Sequence, residues 1–348
     1  MGDQPMSNLS QHEVLNLARA LPVGKSEVRR AIMAEDKRLR AKYKFLAHQD
    51  LIGGAIVAAS VVFNSALALG YMMGIIPAVM AVVGIAIGLS ILHEIEHDLI
   101  HNLYFAGNRR LQHAVFWLIW ILKLHANPIW RRKAHLRHHA KSGQLGDWEE
   151  RLLGLGDRLG WRRLSAILHP FGSVVYMDEI ADTDPEFDPR RTSNSSLLTA
   201  IVFCVLSGLG ILNLVLPESS HQMFSDDVWN IISTLNVVWV LPGMLRHTAI
   251  TIMTTSVHYF GDIPAGDVLY ENQIVDHWLA LPVQLFCFNF GATHVIHHFV
   301  AAQPFYLRQM VAPRVKPVLL AAGVRHNDLA ILNRANRWNV LTEDANAA

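Results

Sequence analysis

Charged residues are scarce in this sequence. Aspartate, glutamate, lysine and arginine make up 17% of its 348 residues, compared with roughly 25% in an average globular chain. Hydrophobic residues make up 51%, and this balance indicates a membrane protein. The formal net charge is only +1, so no overall positive field attracts nucleic acid, and we expect no nucleic-acid partner.

Cysteine is almost absent. The two cysteines, Cys204 and Cys287, lie inside apolar runs, which excludes a disulfide framework, an iron–sulfur cluster of the chain's own and a CxxC zinc site. The N-terminal segment also lacks the basic cap and apolar core of a secretory signal peptide. A metal site in this chain must therefore be built from other side chains.

Four apolar runs are long enough to span a bilayer, which takes about 20 mostly apolar residues. The runs are Leu51–Gly70, Ile75–Leu92, Leu197–Leu216 and Val228–Met244, the last continuing to about Ile252. The loops within the first pair and within the second pair carry no lysine or arginine, whereas the other connecting segments are basic. The positive-inside rule then predicts that both termini are cytoplasmic. We expect an all-α integral membrane fold, with four transmembrane helices and a cytoplasmic helical cap.

Two further apolar stretches, Val115–Leu124 and Leu279–Phe290, are too short to span. They are predicted to be interfacial or re-entrant helices, or else ordinary buried helices. The tail from about Pro313 has a soluble, mixed helical pattern. The predicted organisation is one membrane domain over residues 1–348, with a cytoplasmic helical segment at 1–50, a core at 51–310 and a cytoplasmic tail at 311–348.

Histidine, in contrast, is concentrated in three clusters: His93/His97/His101, His135/His138/His139 and His294/His297/His298. Each cluster has spacings that bring imidazoles to one face of a helix. Nine imidazoles exceed the four ligands or so that one zinc takes, which favours a site with two transition metals. Imidazole suits iron, copper, nickel and zinc, so ligand type does not choose the metal. The predicted topology places all three clusters on the cytoplasmic side.

The order HxxxH, HxxHH and HxxHH resembles the integral-membrane fatty acid desaturase and hydroxylase superfamily, over roughly Leu51 to Arg308. In the first box, HDLIH with Phe105 nearby is more similar to the family pattern than HEIEH is. A tenth histidine lies in TTSVHYFGD, which is similar to the segment that holds the family's extra ligand. The resemblance implies a ligand set of His97, His101, His135, His138, His139, His258, His294, His297 and His298, with His93 as a further ligand or an orienting partner.

The resemblance implies that two ferrous ions and O2 oxidise a C–H bond of a fatty acyl substrate drawn from membrane lipid. Neutral imidazoles hold iron without neutralising its charge, and a site at the end of a spanning bundle keeps the oxidant from water. The sequence has no nicotinamide, flavin, haem or ferredoxin motif. The electrons are therefore expected from a separate donor, a ferredoxin or similar protein with its reductase, and the location is expected to be a bacterial inner membrane.

Polar residues near the boxes are candidates to orient the imidazoles by accepting their second N–H. These candidates are Glu94, Glu96, Asp98 and Asp147, and Thr254 stands where the family has asparagine, four positions before His258. Nearby arginines either bind the anionic head of a substrate or face the cytoplasmic lipid surface. The arginines concerned are Arg131, Arg132, Arg246 and Arg308.

Several alternative functions stay open at this point. The histidine pattern does not distinguish desaturation from hydroxylation or from oxidative decarboxylation of a free medium-chain fatty acid to a terminal alkene, the reaction of a bacterial branch that the chain also resembles. HEIEH matches the HExxH motif of zinc proteases, with His93 and His97 as ligands and Glu94 as the base. A metal transporter is the rival from another class, although its ligands are expected at mid-membrane depth on discontinuous helices.

Overall fold

The protein is described here by a computed structural model that covers residues 23–123, 125–215 and 223–339. The expectation about a signal peptide falls on residues 1–22, outside this range. The described residues form helices and no β-strand, apart from two isolated β-bridges. The helices are α1 (Lys25–Lys42), α2 (Gln49–Met72), α3 (Ala78–Ile100), α4 (Arg109–Lys123), α5 (Pro128–Lys141), α6 (Trp148–Leu152), α7 (Trp161–Leu168), α8 (Met177–Thr183), α9 (Pro189–Val215), α10 (Asp226–Val257), α11 (Val268–Glu271), α12 (Leu281–Leu285), α13 (Phe290–Phe299) and α14 (Phe305–Ala321).

Four of these helices, α2, α3, α9 and α10, are long and apolar enough to cross a membrane. The predicted all-α integral membrane fold with four spanning helices is therefore confirmed. The helices extend beyond the apolar runs, because a helix can continue past the bilayer with charged residues, as α3 does from His93 to Ile100. In contrast, α3 begins at Ala78 rather than Ile75, because Gly74 takes a positive φ of 71° and Pro77 caps the helix.

Helix α3 is the central helix of the bundle. It packs against α2 as an antiparallel hairpin, and half of its most apolar window is buried inside the protein, compared with 11% for α9. Leu92, Ile95 and Leu99 of α3 form an apolar core together with Phe116 and Ile119 of α4. This packing fixes the last turns of α3, which carry the first histidine cluster, inside the protein.

A second core joins the two ends of the chain. Val28 and Ile32 of α1 pack with Val311 and Val315 of α14, and Val295 of α13 belongs to the same cluster. Helix α13, which carries the third histidine cluster, is thereby held between this core and α10. The predicted domain boundary at residue 310 falls inside α14, and the division into three segments stays a prediction.

The two short apolar stretches differ from each other. The first becomes α4, one continuous helix that begins six residues earlier than predicted, at Arg109. The second is not one helix, because Phe288 and Asn289 take positive φ angles and end it. Trp278–Leu285 and Phe290–Phe299 instead form a pair bent by 80°, as in a broken span or a re-entrant loop.

Candidate metal centre

Nine of the ten predicted ligands converge in two groups. Within each group, one ring nitrogen from every histidine lies within 4.8 Å of those of the others. The groups adjoin each other, because the rings of His139 and His298 are only 4.9 Å apart. The first group contains His97, His101, His135, His139 and His297, and the second contains His138, His258, His294 and His298.

The spacing of the ring nitrogens fits two imidazole-bound metal ions. In the first group, Nε2 of His135 lies 3.1 Å from Nε2 of His101. In the second, Nε2 of His294 lies 3.0 Å from Nε2 of both His258 and His298. Imidazole binds such metals at about 2.0–2.1 Å, which puts neighbouring ligand nitrogens roughly 3.0–3.4 Å apart. In addition, both ring nitrogens of buried His97 lack a protein hydrogen-bond partner, and a metal ion would satisfy one of them.

Local sequence signals position the second cluster and the tenth histidine. Asn127 caps α5 by accepting a hydrogen bond from the backbone N–H of Ile129, and Pro128 occupies the first turn. This start fixes which face of α5 points inward, so that His135, His138 and His139 on its last turns meet the histidines of the other helices. His258 terminates α10 with an extended backbone, and its Nδ1–H donates to the carbonyl of Thr254 at 2.8 Å. The backbone of Thr254, rather than its side chain, therefore orients this ring.

Three carboxylates accept the second N–H of a histidine, which leaves Nε2 facing the group. Asp147 binds Nδ1 of His138 at 2.8 Å, as the sequence predicted for this aspartate. Glu149 binds His135 at 2.8 Å, and Glu271 binds His298 at 2.9 Å. Neither Glu149 nor Glu271 was predicted from the sequence. Glu149 lies in the same GDWEE stretch as Asp147, which is a usable signal, whereas Glu271 has no local signal.

The carboxylates of the first box do not orient imidazoles, contrary to the expectation for Glu94, Glu96 and Asp98. Glu94 and Asp98 both pair with Arg308, at 3.1 and 3.2 Å. The reason is that these buried carboxylates form ion pairs with basic side chains from other helices. Glu96 likewise pairs with Lys123 and Arg131.

Arg308 also distinguishes His297 from the other members of the first group. Its guanidinium Nη1 donates to Nδ1 of His297 at 2.9 Å. Arginine has only donors, so the proton of a neutral His297 in this contact sits on Nε2, 2.8 Å from Nε2 of His139. A metal ion at Nε2 would have to displace this proton, and the ligand role of His297 stays a prediction.

Burial keeps most of the histidines around the two groups neutral, which is the form that binds a metal ion. Burial lowers the pKa of His135 and His139, and it lowers the pKa of His258 to about 3, which keeps these imidazoles neutral. Burial also acts on His138, but the charge and hydrogen bond of Asp147 outweigh it and raise the pKa of His138 to about 9. Burial raises the pKa of Glu271 to about 7.

The structure does not bring His93 to either group. Its Nδ1 lies 3.0 Å from Nζ of Lys123 and 3.3 Å from Nη1 of Arg246, while its Nε2 lies 3.4 Å from Nη2 of Arg131. Three basic side chains therefore surround this ring. Of the four candidate arginines, Arg131 and Arg246 line the cavity beside His93.

Two cavities meet next to the histidine groups. The smaller, of about 90 Å³, lies between His93 and the second group and is lined by Arg131 and Arg246. The larger, of about 260 Å³, runs between α8, α9 and the segment that links α7 to α8. The walls shared by both cavities include His125 and His247. These two histidines are outside both groups, and Nε2 of the buried His247 lies 3.0 Å from the carbonyl oxygen of Ala166.

A family model described as fatty acid desaturase matches residues 73–330, which are 258 of the 348 residues. The matched region contains both histidine groups and the spanning helices α3, α9 and α10. None of the curated proteins compared with the chain matches it.

Proposed function

The chain belongs to the fatty acid desaturase family, and from this membership we propose that it is an O2-dependent oxidase that holds two irons and abstracts hydrogen from the C–H bonds of fatty acyl chains. The observation that carries the proposal is the convergence of nine histidines in two adjoining groups. Isolated ionisable groups near a membrane core are costly and usually functional.

The residues of the chain have separate tasks in this proposal. The two groups hold one iron each, and the bound irons supply the reduction of O2 to an oxidant able to attack an unactivated C–H bond. Asp147, Glu149 and Glu271 fix the rings to which they bind. The burial of the groups excludes water from the reaction. Desaturation then converts one CH2–CH2 unit and one O2, with two electrons and two protons, into one CH=CH unit and two waters.

The two electrons come from outside the chain, from a ferredoxin or similar donor with its reductase. We place the histidine groups and both termini on the cytoplasmic side of a bacterial inner membrane. The basis is the distribution of lysine and arginine, which avoids both short loops of the spanning hairpins. Hydroxylation and oxidative decarboxylation use the same groups and differ in the fate of the carbon radical.

Two other functions are less well supported. A zinc protease built on HEIEH needs His93 and His97 on one metal with Glu94 as the base, but His93 lies among basic side chains and Glu94 binds Arg308. A metal transporter would share the bent helix pair α12–α13. O2 consumption with a fatty substrate, compared with metal flux in vesicles, distinguishes the oxidase from the transporter.

The first prediction tests the ligand assignment with matched histidine variants. We expect purified wild-type protein to contain two irons per chain and to consume O2 in the presence of a reductant and a fatty substrate. His138→Ala removes a member of the second group and should lose iron and turnover together. Metal analysis of the purified protein and mass spectrometry of the lipid products measure both.

The control variant is His113→Ala, because this histidine is exposed on α4 and belongs to neither group. It should keep the iron content and the turnover of the wild type. Retention of iron and activity by His138→Ala would contradict the proposed function, and so would purified wild-type protein that binds zinc and cleaves peptides.

A further inference from the structure

The smaller cavity beside the histidine groups is lined by two buried arginines. Arg246 of α10 is 2% exposed, and Arg131 of α5 is 7% exposed. Arginine keeps its proton in proteins, so both side chains carry a full charge inside the protein. Lys123, which is 2% exposed, lies against the same side of His93.

The carboxylates beside the cavity have partners other than Arg246. Glu96 is shared by Lys123 and Arg131. Glu149 and Glu150 also line the cavity, but Glu149 is hydrogen-bonded to His135 at 2.8 Å and Glu150 accepts the backbone N–H of Gly143 at 2.9 Å. In the described part of the chain, no carboxylate forms an ion pair with Arg246; its Nη1 contacts His93, and its buried Nε has no hydrogen-bond partner.

An unpaired buried charge is costly, and a buried cation normally has an anion beside it. The guanidinium group also binds carboxylates in a planar, two-bonded geometry, to which lysine is less suited. The cavity that Arg131 and Arg246 line therefore has the chemistry of a carboxylate site. Its other wall is formed by members of both histidine groups, including His97, His138 and His294.

The larger cavity adjoins this site and has a largely apolar lining. Its lining includes Trp130, Phe171, Val174, Met177 and Leu197. Helix α9, which contributes Leu197, is the least buried of the four spanning helices, so this cavity reaches the part of the protein that faces lipid. A molecule with an anionic head and a long apolar tail matches the chemistry of the two adjoining spaces.

We propose that Arg131 and Arg246 form a carboxylate-binding site that seats a free fatty acid, with its head beside the histidine groups and its tail in the cavity along α9. The inference rests on the proposed function for its consequence, which is that the C–H bonds presented to the oxidant are those nearest the carboxylate. A substrate esterified at that carboxylate would leave the charge of Arg246 unpaired.

The test compares two ligands that differ only in the head group, dodecanoic acid and dodecan-1-ol. Full-length protein in detergent, with its metals and after their removal by chelation, is titrated with each ligand, and binding is measured by thermal stabilisation. We expect the acid to bind more tightly than the alcohol in both forms. Arg246→Gln and Arg131→Gln should each weaken acid binding about 10- to 100-fold, the usual loss for a buried charged hydrogen bond, and leave alcohol binding unchanged.

The matched control is Arg110→Gln, which removes the same charge from an exposed position of α4 and should bind both ligands as the wild type does. Arg246→Lys keeps the charge without the two-bonded geometry and should recover only part of the acid affinity. If Arg246→Gln does not fold, Arg131→Gln gives the same test from a different helix.

The outcomes separate this inference from the proposed function. Equal binding of acid and alcohol by active wild-type protein overturns the inference alone. Acid binding that survives both arginine substitutions but disappears on chelation also overturns it, because the carboxylate then binds the metals. Head-group selectivity that depends on Arg246 in a protein without oxidase activity supports the inference and contradicts the proposed function. Oxidation products altered only at mid-chain positions contradict the predicted consequence.

Discussion

At the scale of single residues, the acceptor behind each imidazole determines which ring nitrogen faces the metal site. Asp147 is fully buried and has two roles: one oxygen accepts the N–H of His138, and the other accepts the backbone N–H of Glu150 and caps α6. Such partners fix the ring and increase its basicity toward the metal. The orientation of His138 therefore depends on a charge that the cap itself does not require.

Asp147→Asn separates these two roles, and we predict that it weakens metal binding while preserving the fold. Asparagine is as good a helix cap as aspartate, so α6 should persist. Loss of the negative charge behind His138 should reduce metal affinity about 10- to 100-fold. Metal retention during dialysis against a graded chelator measures the affinity.

The control for this prediction is Asp184→Asn. Asp184 is also a buried aspartate, but it accepts from Trp148 and Arg137 and contacts no histidine of either group. It should leave metal retention unchanged. The orienting role of Asp147 is refuted if both variants release metal at the same chelator concentration.

Residue roles could be predicted from the sequence where the partner is local. His138 and Asp147 are nine residues apart on two consecutive helices, and Asp147 was anticipated as an orienting carboxylate, although its partner was not named. Glu271 lies 27 residues before His298, and Arg308 reaches Glu94 across 214 positions. No spacing rule encodes such contacts, because they depend on how α3, α11 and α14 pack. The same holds for His93, whose three basic neighbours come from three other helices.

At the scale of helices, one close approach fixes the end of α3 beside α2. A Cβ atom added at Gly53 of α2 would lie 2.5 Å from the ring of Tyr104, which follows α3. This ring is fully buried, and its hydroxyl donates to Asp98 at 2.9 Å. The ring of Tyr104 therefore cannot move without breaking its hydrogen bond to Asp98, which lies next to His97 of the first histidine cluster.

We predict that Gly53→Ala destabilises the protein whereas Gly54→Ala does not. Overpacking costs about 1–3 kcal/mol, and the gain in helix propensity, up to about 1 kcal/mol, does not offset it. At Gly54 the added methyl would be 3.6 Å from the ring of Phe105, an ordinary contact. Thermal unfolding in detergent measures the difference, and equal unfolding temperatures for the two variants would disprove the close packing.

The helices themselves could be predicted better than their ends. Hydropathy identified all four spanning segments because the bilayer requires a run of apolar residues, whatever the tertiary structure. It did not reveal that α3 continues through Glu94, Glu96 and Asp98, since the buried cations that pair with them come from elsewhere. The bend between α12 and α13 was missed for a similar reason. The helix breaks at Phe288 and Asn289, and neither residue is the glycine or proline that usually marks such a break.

At the scale of the whole molecule, the two groups join segments that are far apart in sequence. The first draws its histidines from α3, α5 and α13, and the second from α5, the end of α10 and α13. Helix α5 contributes to both, although it lies outside the spanning bundle. Metals bound by both groups, as proposed above, would cross-link the segment between the two spanning hairpins to the bundle, in addition to any role in catalysis.

Metal removal should therefore destabilise the folded chain as well as inactivate it. A ligand present at about 1,000 times its dissociation constant stabilises the native state by about 4 kcal/mol, which corresponds to a shift in unfolding temperature of roughly 5 °C for a chain of this size. We expect chelation to lower the unfolding temperature of the wild type by that order and to expose the chain between α5 and α9 to protease.

His138→Ala, which disrupts the second group, should start from a lower temperature and respond less to the chelator. An unchanged unfolding temperature in protein shown by metal analysis to be metal-free would mean that helix packing alone holds α5 in place and that the groups do not act as cross-links.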